Sequence, residues 1–98
     1  MSKDDTIDKV RNLGPKTAVR LKGLGVNTRG DLERLGAIEV YLRYRVAHGA
    51  NLNALYAMQA GLMDLDWRAL TSEFKDVLKE TLRAAERDQA GSTEALSG

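Results

Sequence analysis

A small all-α bundle of five to six helices is the fold that these 98 residues predict. Three observations carry that reading. Apolar residues recur at spacings of three and four between glycines at 14, 25, 36, 49 and 61, and not at the spacing of two that marks a strand. The single proline follows a Leu-Gly pair directly, where proline is best tolerated, at the first position of a helix. The length allows one modest core, because a chain of this size buries somewhat over roughly 60% of its unfolded surface and leaves no deep active-site cavity.

The elements follow in chain order. A first short helix is expected over about Asp4 to Asn12, with Ile7 and Val10 inward. Leu13-Gly14 turns the chain, and a second helix runs from Pro15 to about Leu24, burying Ala18, Leu21 and Leu24. Thr28 is a good N-cap for a helix with Asp31 in its first turn and Leu32 and Leu35 inward. A longer helix covers Ala37 to His48, burying Val40, Tyr41 and Tyr44, and Gly49 ends it. Asn51 or Asn53 caps the next, whose apolar face carries Leu52, Leu55, Tyr56, Met58, Leu62 and Met63. Gly61 inside it predicts close packing against a neighbour or an early end. Leu65 and Trp67 are expected as buried anchors of a turn. Thr71 caps a final helix to about Ala90, with Phe74, Val77, Leu78, Leu82 and Ala85 as its stripe and Asp76/Lys79 and Glu80/Arg83 on its wet side. Residues 1–88 thus read as a single helical domain, and 89–98 as a disordered tail.

Composition narrows the chemistry. There is no cysteine, which excludes disulfides and thiolate metal sites. No apolar run approaches the ~20 residues of a membrane span, and the N-terminus has no signal-like stretch, so cytoplasmic placement is expected. His48 stands alone and cannot anchor an ordinary transition-metal site; a dipole or capping role is expected near its helix C-terminus. Asp64 and Asp66 read as turn chemistry. Tyr41, Tyr44, Tyr56 and Trp67 lie at apolar-face positions and are expected in the core, although such rings can also stack on bases. No serine or threonine has a histidine base in reach, and the glycine-spaced approach of a nucleotide loop is missing. No enzyme, catalytic residue, metal or cofactor is therefore expected.

Charge is polarised. Residues 1–50 hold ten Lys/Arg against six Asp/Glu, and residues 51–98 hold five against eight. From Lys9 to Arg34 the chain carries Lys9, Arg11, Lys16, Arg20, Lys22, Arg29 and Arg34, opposed only by Asp31 and Glu33. A basic half of this kind suits a polyanion, and also suits an ordinary solvated helix surface.

Asn12-Leu13-Gly14-Pro15-Lys16-Thr17-Ala18 is the most informative run. A helix begins there with unpaired amides at about Gly14, Lys16 and Thr17, at the positive end of its dipole, where a phosphate oxygen can be held. Lys16, Arg20 and Lys22 add charge, and glycine at 14 lets the backbone itself approach a strand. Contacts of this type position a protein on nucleic acid without reading sequence. The DNA-phosphate-binding set expected is Gly14, Lys16, Thr17, Arg20 and Lys22. Glu33-Arg34-Leu35-Gly36-Ala37 repeats Arg11-Asn12-Leu13-Gly14-Pro15 22 residues later, suggesting two hairpins about a local pseudo-dyad.

The first run resembles the helix-hairpin-helix family, whose hairpin reads Gly-hydrophobic-Gly-Pro-Lys-Thr-Ala; Leu13 to Ala18 match and Asn12 replaces the first glycine. Asparagine tolerates a left-handed backbone, so the turn is compatible. In the second hairpin Ile38 and Glu39 replace the lysine and threonine, so that one is expected as scaffold. The wider pattern, Val10 to Thr17, Leu24 to Leu32, Leu35 to Tyr41, Asn53 to Ala57, Gly61 and Trp67, resembles the C-terminal domain of the TfoX/Sxy family, bacterial regulators of natural competence. That resemblance covers about residues 6 to 85 and implies a helical bundle containing helix-hairpin-helix elements, with a link to DNA uptake and competence-gene transcription. Many members carry a further domain upstream, for which this chain has no room, so a separately encoded partner domain joins DNA among the expected partners. The expectation is a non-enzymatic, sequence-nonspecific and low-affinity DNA-binding module. Its rival is a helical protein–protein interaction adaptor in which the hairpin is only a corner. No membrane partner is expected, and the sequence leaves the oligomeric state open.

Overall fold

The computed structural model describes residues 4–97, with side chains for residues 4–88. Five α-helices follow one another: α1 (Pro15–Gly23), α2 (Arg29–Leu35), α3 (Ala37–His48), α4 (Leu52–Leu62) and α5 (Ser72–Ser97). Two 3-10 turns, Ile7–Lys9 and Trp67–Ala69, precede α1 and α5. None of the described helices is long and apolar enough to cross a membrane. The all-α bundle expected from periodicity is what forms.

Local signals set most boundaries. Thr28 and Asp31 form a capping box at α2: the Thr28 hydroxyl accepts from the Asp31 amide at 3.1 Å, and the Asp31 carboxylate accepts from the Thr28 amide at 3.2 Å. Asn51 caps α4 by accepting from the Asn53 amide, and the Thr71 hydroxyl accepts from the Phe74 amide at the start of α5. Gly49 ends α3 at φ 93°, a conformation that favours glycine. Both Leu-Gly corners lead straight into a helix, with Gly14 capping α1 and Gly36 capping α3. Ala18 donates to the Gly14 carbonyl at 2.9 Å and Val40 to the Gly36 carbonyl at 3.1 Å, so the 22-residue repeat is structural.

The N-terminal segment departs from the expected helix over Asp4 to Asn12. Only Ile7–Lys9 turns, and the chain from Asp5 to Ile7 pairs with the connector before α2. Ile7 donates to the Asn27 carbonyl and Arg29 to the Asp5 carbonyl, both at 2.9 Å, closing an antiparallel bridge between Thr6 and Thr28. With Thr6 held extended in that bridge, a helix cannot run through it from Asp4.

Ile7, Val10, Leu13, Leu21, Val26, Leu32, Val40, Tyr41, Leu55 and Met58 form the centre of one core, with Leu78 and Leu82 of α5 against it. Five expectations for burial need correction, among them Leu52 and Met63 at the ends of α4, which are 37% and 42% exposed. Trp67 is 38% exposed and Leu65 39%, so the segment between α4 and α5 is anchored in the core by Leu70 and not by these two, and Val77 faces out at 59%. Val77 stands beside Leu78 on α5, and only the Phe74–Leu78–Leu82–Ala85 line meets the core. The α5 backbone is helical to Ser97, past Ala90; the side chains of 89–98, where the expected tail falls, lie outside the described residues. Asp76–Lys79 and Glu80–Arg83 pair as expected.

Gly61 is a point of close approach between α4 and the N-terminal segment. A Cβ at this position would stand 2.5 Å from the Arg11 carbonyl oxygen and 2.8 Å from Val10 Cγ1, so only glycine lets α4 lie against the segment before the first hairpin.

Candidate nucleic-acid interface

The first hairpin corner is held in place from behind. Asn12 takes the left-handed backbone, φ 74°, that its replacement of a glycine requires. Its side chain reaches across to the turn before α5: Nδ2 donates to the Leu65 carbonyl at 2.7 Å, and Oδ1 accepts from the Trp67 amide at 3.2 Å. Arg11 adds a bond to the Asp64 carbonyl at 3.3 Å. The rear of the corner therefore lies against the second half of the chain, while Gly14, Pro15 and Lys16 in front are exposed.

At that front the amides of Gly14, Lys16 and Thr17 donate to no acceptor among the described residues. They open the nine-residue helix α1, whose first turn carries no acidic side chain. Gly14 sits at φ −81°, ψ 174°, with nothing within 4 Å of where a Cβ would be. The fold does not need glycine there, and an added side chain would project into the open approach to the amides.

The structure divides the five predicted residues. Gly14, Lys16 and Thr17 lie together by position, and Arg20 follows on the same face as Lys16, one turn along. The Arg20 guanidinium donates to the Tyr44 hydroxyl at 2.9 Å, which fixes it beside α3 without neutralising it. Lys22 goes elsewhere. It is turned roughly 120° from Lys16 and roughly 160° from Arg20 about the helix axis. It stands with Lys9 near Asp8, whose carboxyl is held below its usual range by the Thr6 hydroxyl and further by those two lysines.

Other members of the basic stretch are also committed. Arg29 is only 8% exposed; it donates to the Gly61 carbonyl at 3.1 Å and the Leu62 carbonyl at 2.8 Å, closing the C-terminal end of α4, and pairs with Glu33. Arg34 pairs with Asp31. In the second hairpin Glu39 stands in the first turn of α3 and pairs with Arg43. Asp66 caps the second 3-10 turn and chelates Arg68, whose guanidinium holds the carboxyl far below its usual range. His48 is exposed in the last turn of α3, its ring 5.1 Å from Tyr44. Among the described residues no group of three or more His, Cys, Asp and Glu could hold a metal ion.

Two Leu-Gly corners, one opening α1 after a 3-10 turn and one joining α2 to α3, define an all-α domain containing helix-hairpin-helix elements. Within that class the chain belongs to the TfoX C-terminal domain family, whose family model matches residues 3–82. The chain is also similar to the crystal structure, in a triclinic form, of an uncharacterized protein from Listeria monocytogenes. The two share 23% identity with a TM-score of 0.72, over 83% of this chain and 93% of that one, a likeness of fold. No curated protein matches the chain.

Proposed function

We propose that this domain is a non-enzymatic module that grips nucleic-acid backbone phosphates without reading sequence, in the service of competence regulation. The observation that carries the reading is the open α1 corner: three unpaired amides at Gly14, Lys16 and Thr17, with Lys16 and Arg20 on the same face. Amides at a helix N-terminus present fixed donors and positive potential to an anion, and two cations beside them raise the local concentration of a polyanion. The link to competence comes from the TfoX C-terminal domain family, and DNA is the polyanion that this link favours.

A grip of this size is weak. Nonspecific modules bind with dissociation constants on the order of 10⁻⁴–10⁻⁶ M and lose affinity steeply as salt rises. The test is a salt titration of duplex binding by wild type, Lys16→Glu and Gly14→Val. Valine fits the extended backbone at position 14, so Gly14→Val stays folded while its side chain blocks the amides. Both variants should bind less than wild type at every salt concentration. Equal binding by all three removes the hairpin from the mechanism and returns the domain to a helical adaptor for another protein.

A further inference from the structure

Beside the hairpin a cleft of about 260 Å³ opens between the N-terminal ends of α1 and α4. Ala54 and Ala57 of α4 give it an apolar lining, and Thr17, Asn51, Asn53 and Trp67 surround them. No aspartate or glutamate lines it. Two helix N-termini point their positive ends toward this space, and the Lys75 ammonium stands 5.9 Å from the Trp67 ring centroid, so the surroundings favour an electron-rich, anionic ligand.

Two side chains of the lining carry polar groups that the fold leaves without a partner among the described residues. Trp67 keeps 38% of its surface exposed while Tyr41, Tyr44 and Tyr56 are all buried, and its indole N–H meets no acceptor among the described residues. Asn53 lends its backbone amide to the Asn51 cap, but its own side-chain amide is likewise unpartnered among the described residues. An exposed indole next to a free carboxamide offers a stacking face and a paired donor and acceptor, which is how unstacked bases are held. Size decides how much can enter. Pockets for drug-sized ligands begin at roughly 300 Å³, so this one suits a single planar heterocycle.

We propose that the cleft receives one unstacked nucleobase of single-stranded nucleic acid, stacked on Trp67 and edge-bonded by Asn53, with the neighbouring phosphate on the α1 amides. This rests on the backbone-gripping reading above and deepens it by naming the preferred substrate form. In an intact duplex the base faces are covered by their neighbours, so a closed helix reaches the amides but not the cleft.

Trp67 is the chain's one tryptophan, which makes its fluorescence a direct report on the cleft. The full chain is titrated with a short oligothymidylate, the matching oligouridylate, and a duplex closed by loops at both ends. The single strands should quench Trp67 and the closed duplex should bind without quenching. Trp67→Ala should weaken single-strand binding about 5- to 100-fold and leave the duplex unchanged, the range expected for one stacked base. Asn53→Ala, at an exposed position, should weaken it about 2- to 10-fold as one hydrogen bond is lost. Trp67→Phe should restore most of the binding, and thermal melts establish that each variant is folded. If Trp67→Ala does not fold, wild-type quenching and Asn53→Ala decide. Equal affinity for single strand and closed duplex without quenching, both abolished by Lys16→Glu, overturns the cleft and leaves the backbone grip standing. Absence of binding to any of the three polymers overturns both.

Discussion

Replacing Asn12 by glycine sets two effects against each other. Glycine relieves the strain of a left-handed backbone at φ 74° but is more flexible in the unfolded chain; these contributions, each about 1 kcal/mol, nearly cancel. The side-chain bonds to Leu65 and Trp67 remain as the net difference. Both partners can turn to water, so each bond is worth about 0.5–1 kcal/mol and Asn12→Gly destabilises by about 1–2 kcal/mol. For a domain of this size that lowers Tm by roughly 5–15 °C. Asn12→Ala loses the same bonds and adds about 1 kcal/mol of strain, because alanine tolerates the left-handed backbone less well than asparagine, for a total of about 2–3 kcal/mol. Thermal and urea melts of the three proteins should rank wild type above glycine and glycine above alanine. A glycine variant as stable as wild type, or more so, would refute the idea that Asn12 clamps the corner to the second half.

Three further perturbations have defined outcomes. Gly61→Ala gains about 1 kcal/mol of helix propensity but drives a methyl into the Arg11 carbonyl and Val10, an overpacking cost of about 1–3 kcal/mol; urea denaturation should show a net loss. Arg29→Met leaves the Gly61 and Leu62 carbonyls without their guanidinium and should cost about 2–4 kcal/mol in the same assay, although Arg29 belongs to the basic stretch. Asp31 is held below its usual carboxylate range, first by the Asn27 amide and then by the Thr28 amide, Arg34 and the Thr28 hydroxyl. A folded-state pKa below the unfolded one means that the capping box contributes fully above the unfolded value, near 4, and fades as pH falls through the folded value. Urea midpoints should therefore drop between pH 5 and pH 2 by less in Asp31→Asn than in wild type, and an identical drop removes Asp31 from the acid response.

Much of the helical framework was legible because its punctuation is local. Thr28 with Asp31, Asn51, Thr71, the Gly14-Pro15 start and Gly49 each act within one turn, so a linear reading finds them. The first segment was misread because Ile7 and Asp5 pair with Asn27 and Arg29, some 20 residues away, and no local periodicity encodes that bridge. Trp67 was misplaced for a similar reason: an apolar residue in a turn is assigned to the core by type, whereas its backbone amide is tied to Asn12 and its ring is left at the edge of a cleft. The candidate site was legible in its centre, Gly14, Lys16 and Thr17, and overextended at Lys22, whose helical phase faces Asp8. Phase about α1 could have separated Lys22 from Lys16 at the outset. Burial of Arg29 had no such signal beyond its i,i+4 relation to Glu33, because a charged residue reads as surface until its acceptors, 32 and 33 residues away, are placed.

Backbone amide chemical shifts, followed residue by residue while a short duplex is added at low salt, test the central claim most directly. The largest shifts should fall on Gly14, Lys16 and Thr17, with smaller ones at Arg20, and should vanish as salt is raised. Shifts that leave those three amides in place and gather instead on Lys9 and Lys22, or on the outer face of α3, contradict it.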